Sequence, residues 1–168
     1  SNSFFHLCNI VKNYGYDGVE VFDAKSEVVE HSDSIFRASV TGDAKRKLVN
    51  RHIAVSVLNF PKAIESEKDG KEIVEYIEFA ALASVKAVIV KFDKIPQNEK
   101  LKGILLPAIK VAEQNGVSLL IETSGPLACT EKVLEIINFF GTAVLKVCWN
   151  IRETFFNGFF GHFRNKKL

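Results

Sequence analysis

The sequence predicts an α/β fold built around a parallel sheet, and two observations carry this prediction. Five short apolar runs alternate with segments whose apolar residues recur at helical spacing, which is typical of β-α-β units. The central run begins at Val117, continues without polar alternation, and ends in Glu122 followed by Thr-Ser-Gly, as expected for a strand buried on both faces. Parallel α/β folds carry their functional side chains at the carboxyl ends of such strands, so Glu122 is the first candidate site residue.

The N-terminal segment predicts a helix and then a short strand. Apolar residues at helical spacing indicate a helix over Ser3–Tyr14, and Gly15 is a stop signal. The strand over Val19–Phe22 contains Glu20, which either lies at the mouth of the fold and bonds a neighbour or contacts substrate. Residues 24–42 show no clear period and indicate only a loop or a short helix.

The next helix and strand are marked by a capping residue and by β-branched residues. Asp43 is the predicted N-cap of a helix through Val49, because its carboxylate can accept hydrogen bonds from the amides of the first turn. The apolar run Ile53–Phe60 predicts a strand. The charged segment Lys62–Gly70 predicts a loop.

Helical periodicity returns twice in the middle of the chain. It predicts a helix from Lys71 to about Ala83 and another over Glu99–Gln114, with a strand over Ala87–Phe92 between them. Pro107 lies inside the second helix and predicts a kink, since it removes one backbone hydrogen bond.

One more helix and one more strand follow Glu122. Thr130 is the predicted N-cap of a helix to about Phe139. Ala143–Trp149 is the last predicted strand. Doubly wound sheets and barrels both show this alternation, and the absence of a glycine-rich phosphate loop after any strand weakens the nucleotide-binding versions.

The composition indicates which kinds of partner and which cellular compartment to expect. The 22 basic and 20 acidic residues are interspersed, so no nucleic-acid partner is expected. No apolar run reaches the length of a membrane span and no signal peptide opens the sequence, so no membrane partner is expected either. The three cysteines are far apart, which fits a reducing cytoplasm. A single domain over residues 1–168 is predicted, with an atypical Phe-rich and basic tail over residues 155–168.

Three segments together resemble a known family. They are GYDGVEVF at Gly15–Phe22, EQNGVSLLIETSG around Glu122, and KVCWNIRETFFNG at Lys146–Gly158. Their order and spacing resemble the xylose isomerase-like TIM barrels, the family of sugar and sugar phosphate isomerases and epimerases. The resemblance implies a parallel-stranded TIM-barrel type of fold that is incomplete here, with about five β/α units corresponding to strands two to six.

The resemblance also implies a divalent metal, Mn, Mg, Co or Zn, held by side chains at the strand ends. Glu122 stands where the family has a glutamate that is both ligand and catalytic base. Asn150 and Glu153 stand where the family has an aspartate and a histidine, which puts the ligand set Glu122, Asn150 and Glu153 in doubt. Arg152 beside them either binds a phosphate or carboxylate of the substrate or forms a surface ion pair.

The incomplete barrel has consequences for association and for function. Two bare sheet edges and an open interior favour a homo-oligomer formed through those edges, or a fragment of a longer protein. The leading hypothesis is a metal-dependent sugar or sugar phosphate isomerase or epimerase that transfers a proton next to a carbonyl. A degenerate, non-catalytic barrel that serves association is the alternative. An endonuclease IV-like abasic-site nuclease is disfavoured, since that chemistry uses many histidines.

Overall fold

The computed structural model describes residues 3–155, which form five strands and the helices that connect them. The strands are β1 Gly18–Val21, β2 Ala54–Ala63, β3 Ala87–Lys91, β4 Ser118–Glu122 and β5 Leu145–Cys148. The helices are α1 Phe4–Asn13, α2 Ala24–Glu30, α3 Thr41–Asn50, α4 Glu67–Ala83, α5 Asn98–Asn115, α6 Thr130–Phe140 and α7 Ile151–Glu153, with a 3-10 turn at Gly125–Leu127. Apart from Phe155, the predicted tail lies outside the described residues.

The five strands form one parallel sheet in the order β1-β2-β3-β4-β5. Each strand therefore pairs with the strand that precedes it in the chain, and no reversal of strand order occurs as it does in doubly wound sheets. This order confirms the predicted fold class, a parallel-stranded TIM-barrel type with about five β/α units. Within the described residues, no helix is both long and apolar enough to cross a bilayer.

The hydrophobic core lies between the helices and one face of the sheet. Leu58, Val88, Leu119 and Ile121 on this face are fully buried. Side chains that alternate with them lie on the opposite face, which we call the inner face because it corresponds to the inside of a closed barrel. The inner face carries Glu20, Asn59, Ile89, Lys91, Leu120, Glu122, Lys146 and Cys148.

The start of α3 differs from the prediction. The helix begins at Thr41, two residues before Asp43, and its N-cap position is Val40. Thr41 is buried and its hydroxyl donates hydrogen bonds to the carbonyl oxygens of Ile35 and Arg37, which anchors the first turn. Asp43 lies within the first turn, where its carboxylate is 2.7 Å from Lys47 Nζ.

The prediction of a charged loop over Lys62–Gly70 is wrong at both ends. Strand β2 continues to Ala63, and α4 already begins at Glu67. The charges that suggested a loop are used locally, because Asp69 forms a capping box with Ser66 and an ion pair with Lys62 at 2.7 Å. The helix is thus capped by the residues that made the segment look irregular.

Three further elements can be compared with their predictions. Residues 24–42 contain the short helix α2, whose N-cap Asp23 accepts from the backbone amides of residues 25 and 26. The N-cap of α6 is Cys129, and Thr130 is already the first helical residue. Helix α5 runs unbroken through Pro107, and the kink there stays a prediction.

Candidate functional site at the carboxyl ends of the strands

Glu122 lies at the carboxyl end of β4, on the inner face. It is half-buried, and its register partner on β5 is Cys148. One carboxylate oxygen, Oε1, accepts a hydrogen bond from Asn150 Nδ2 at 2.7 Å. The structure therefore brings together two of the residues that the sequence predicted for the site, although they are 28 positions apart.

Thr123 fixes the position of Asn150 and was missed in the sequence. It is 1% exposed, and its backbone amide donates to the carbonyl of Cys148 at 3.0 Å. Its hydroxyl oxygen accepts from the backbone amide of Asn150 at 2.8 Å and lies 3.2 Å from Thr154 Oγ1. Thr123 thus clamps the end of β4 to the turn after β5. The available signal was a polar residue directly after a buried strand.

Asn150 is also the N-cap of the short helix α7. Its Oδ1 accepts from the backbone amide of Glu153 at 3.1 Å. Because a backbone amide can only donate, this contact fixes the orientation of the side-chain amide, and Nδ2 must be the group that faces Glu122. Glu153 is half-buried and Arg152 is exposed on the same turn.

Glu20 lies on the inner face of the edge strand β1. It accepts a hydrogen bond from Nδ2 of Asn59 on β2. We call the polar side chains on the inner face near the carboxyl ends of the strands, Glu20, Asn59 and Glu122 among them, the polar row. Asn59 was missed in the sequence. Burial raises the pKa of the Cys148 thiol, and the negative charges of Glu122 and Glu20 raise it further. Both carboxylates therefore lie close enough to the Cys148 thiol on the inner face to affect its ionisation.

Lys91 ends β3 and completes the polar row. The alternation of β3 puts Val88 and Val90 in the core, and Ile89 and Lys91 on the inner face. Val90 pairs with Ile121, so the next residues on the two strands, Lys91 and Glu122, are neighbours. The sequence predicts Lys91 only as a residue inside the strand Ala87–Phe92; the available signal was a cation in an apolar run.

Comparison with solved structures identifies this architecture. The xylose isomerase domain protein from Planctomyces limnophilus superposes with a TM-score of 0.65 at 15% identity, over 84% of this chain and 55% of that protein. The chain has the fold of part of a xylose isomerase-like TIM barrel. Neither protein-family models nor curated protein sequences match it.

Two further structures share this partial barrel. The IolI protein with a bound zinc atom has a TM-score of 0.64 at 18% identity, over 87% of this chain and 57% of that protein. D-psicose 3-epimerase in the presence of D-fructose has a TM-score of 0.66 at 13% identity, over 89% and 58% of the two chains. The chain thus spans little more than half the length of these barrels.

The predicted metal ligands of the partial barrel do not form a metal site by themselves. Among residues 3–155, no three His, Cys, Asp or Glu side chains are grouped so that they could hold a metal ion. Asn150 turns its amide nitrogen toward Glu122. Its oxygen, the atom that would coordinate a cation, accepts a hydrogen bond from the backbone amide of Glu153. Of the predicted set, Glu122 alone offers a carboxylate on the inner face in this arrangement.

One cavity of the partial barrel does not have Glu122 among its lining residues. It measures about 800 Å³ and is formed by the loops that follow β2 and β3, with Lys62, Ser66, Asp93 and Lys94 among its lining residues. The ammonium of Lys62 is already held by two carboxylates there. We place the candidate site at Glu122, because the inner face carries the hydrogen-bonded carboxylates at the strand ends.

Proposed function

We propose that the protein is a sugar isomerase or epimerase that transfers a proton at a carbon next to a carbonyl, with Glu122 as the base. The observation that carries this proposal is the position of Glu122. It is a half-buried carboxylate at the carboxyl end of a central strand, and Asn150 orients it from the neighbouring strand. The sugar epimerase with the same fold supports the substrate class.

The proton transfer can be written with the side chains of the inner face. The Glu122 carboxylate removes the proton from the carbon next to the carbonyl. The electron pair of the broken C–H bond forms a C=C bond, and the carbonyl π pair moves onto oxygen. The proton of the hydroxyl on the deprotonated carbon moves to the negatively charged oxygen, and Glu122 returns its own proton to the former carbonyl carbon. A new carbonyl then stands at the carbon that was deprotonated, which interconverts an aldose and a ketose. Asn150 holds one oxygen of Glu122, which leaves the other for the substrate.

The substrate is held by polar groups in the same row. Glu20 and Asn59 form a hydrogen-bonded pair at the edge of the sheet and offer acceptors and donors to sugar hydroxyls. Asn150, Arg152 and Glu153, the other predicted substrate-binding residues, lie in the turn and short helix α7 after β5. Their contact with substrate is part of the proposal.

A divalent metal remains part of the proposal only with ligands from outside residues 3–155. In this class of reaction, Mn, Mg, Co or Zn acts as a Lewis acid on the sugar oxygens. The measurement is the melting temperature with each ion. A rise that Glu122→Gln abolishes supports a Glu122-bound metal, and no shift with any ion removes the metal from the proposal.

Association and compartment complete the proposal. The edge strands β1 and β5 have no second partner strand among the described residues, which favours a homo-oligomer through these edges. Analytical ultracentrifugation over a range of concentrations tests this, and a monomer at all of them removes it. Cys8, Cys129 and Cys148 are free, which supports a reducing cytoplasm.

The proposed activity is tested by deuterium exchange. The 168-residue chain is incubated with D-xylulose or D-fructose in D₂O, and NMR follows deuterium at the carbons next to the carbonyl. We expect exchange that Glu122→Gln abolishes and that Glu135→Gln, an exposed carboxylate on α6, leaves intact. Absence of Glu122-dependent exchange refutes the activity and favours the degenerate barrel that serves association, which the asparagine at position 150 also favours.

A further inference from the structure

Lys91 places a positive charge at the end of a strand whose other side chains are largely buried. Val88 and Val90 on the same strand are 0% and 1% exposed, and Lys91 itself is half-buried. Its backbone is fixed in the sheet, since its carbonyl oxygen accepts from the amide of Ile64 at 2.8 Å. The ammonium of a partly buried lysine is stabilised by a partner, either a nearby anion or a hydrogen-bond acceptor.

That partner is missing among residues 3–155. Lys91 makes no side-chain hydrogen bond or ion pair with any described residue. Some other lysines are paired, for example Lys62 with Asp69 at 2.7 Å and Lys25 with Glu75 at 2.5 Å. The ammonium of Lys91 therefore keeps its donors for a ligand on the inner face.

The neighbour of Lys91 decides what that ligand is. Glu122 is the next residue in register on β4, and adjacent strands lie about 4.8 Å apart. A molecule that contacts the Glu122 carboxylate thus lies within reach of the flexible lysine side chain. When a base removes a proton next to a carbonyl, negative charge develops on the carbonyl oxygen, and a nearby cation stabilises it.

We infer that Lys91 is a catalytic residue, whose ammonium donates a hydrogen bond to the substrate oxygen that becomes negative when Glu122 removes the proton. The inference rests on the proposed function of Glu122. Lys91 keeps its own protons throughout. When Glu122 returns the proton to the same carbon, the electron pair on oxygen re-forms the carbonyl; when Glu122 returns it to the former carbonyl carbon, that oxygen takes up the proton of the adjacent hydroxyl.

The test is a binding measurement that does not require turnover. The 168-residue chain, in EDTA, is titrated calorimetrically with D-xylonate, whose carboxylate carries the charge of the reacting oxygen, and with xylitol, its neutral counterpart. We expect xylonate to bind more tightly than xylitol. Lys91→Met should weaken xylonate binding by about tenfold or more, as loss of a charge-assisted hydrogen bond does, and leave xylitol binding unchanged.

Two variants act as controls. Lys91→Arg keeps the cation and should retain most of the preference for xylonate, and Lys86→Met removes an exposed lysine just before the amino end of β3 and should behave as the wild type. Wild-type protein that does not bind xylonate, or Lys91→Met protein that binds it as tightly as the wild type, overturns the inference.

The two proposals fail separately. If deuterium exchange is absent while xylonate binding depends on Lys91, the isomerase activity is refuted and Lys91 remains a ligand-binding residue. If exchange depends on Glu122 but Lys91→Met changes neither exchange nor xylonate binding, the role of Lys91 alone is refuted.

Discussion

Replacement of Thr123 by valine tests whether the candidate site is held together by its buried hydroxyl. Valine has nearly the same shape but no oxygen, so the backbone amide of Asn150 loses its acceptor at 2.8 Å. Thr123 is 1% exposed, and water has little access to replace the lost oxygen. A buried donor left without a partner costs about 1–3 kcal/mol. The free energy of unfolding should therefore fall by about that amount, a large share of the roughly 5–15 kcal/mol typical of a folded domain.

The protein carries its own reporter for this variant. Trp149 is the single tryptophan of the chain, and its Nε1 donates to Thr154 Oγ1 at 3.2 Å, next to the Thr123 hydroxyl. Urea unfolding followed by circular dichroism gives the free energy, and the emission maximum of Trp149 reports the turn in the folded protein. We expect Thr123→Val to shift the emission before any global unfolding.

Thr123→Ser is the matched control. It keeps the hydroxyl and removes only a buried methyl group, which costs about 0.8 kcal/mol by area. We expect the serine variant to leave the Trp149 emission unchanged. A valine variant as stable as the wild type, with the same emission, would refute the clamp between β4 and the turn after β5.

The remaining predictions concern helix α4. Gly70→Ala should destabilise the protein although alanine is the better helix former, because a Cβ at position 70 would meet the carbonyl oxygen of Ile104 on α5. Gly103→Ala is the control, since its Cβ would meet only the flexible Glu67 side chain. We expect a lower melting temperature for Gly70→Ala and an unchanged one for Gly103→Ala. Asp69 is buried, which by itself raises the pKa of its carboxyl, but hydrogen bonds from Lys62 and from nearby amides hold that pKa well below its usual range. Since the folded pKa is lowered, the stabilisation is present above the unfolded value of about 4 and is lost as pH falls below it. Wild type and Asp69→Asn should therefore converge in stability in acid, and an unfolding free-energy difference that stays constant from neutral pH to about pH 2 would contradict this.

The sequence predicts the strands well because their burial is visible in it. Val117–Ile121 is apolar at every position but one, and a strand with helices on one side and the inner face on the other needs little else. The pairing of Glu122 with Asn150 follows from the same logic, since both come after adjacent parallel strands. Periodicity and position were sufficient for these residues.

Contacts between distant segments could not be predicted in this way. Thr41 and Asp43 are both good capping residues, and the carbonyls of Ile35 and Arg37, in the loop before α3, anchor the first turn at Thr41. Thr123 resembles an ordinary turn residue until the turn after β5 is placed against it. Lys91 resembles a solvated strand end until β4 puts Glu122 beside it. In each case the deciding partner lies outside the helix or strand that carries the residue.

The order of the strands also bears on how the chain assembles. Every strand pairs with the one made just before it, so each new crossover closes a loop of a few tens of residues rather than a loop across the whole chain. The entropic cost of loop closure is therefore divided into similar small steps, and each pairing of the five described strands can form as soon as its second strand has been synthesised. A sheet with this order can grow from its N-terminal edge during translation, one β/α unit at a time, with each unit burying its apolar face against the previous one.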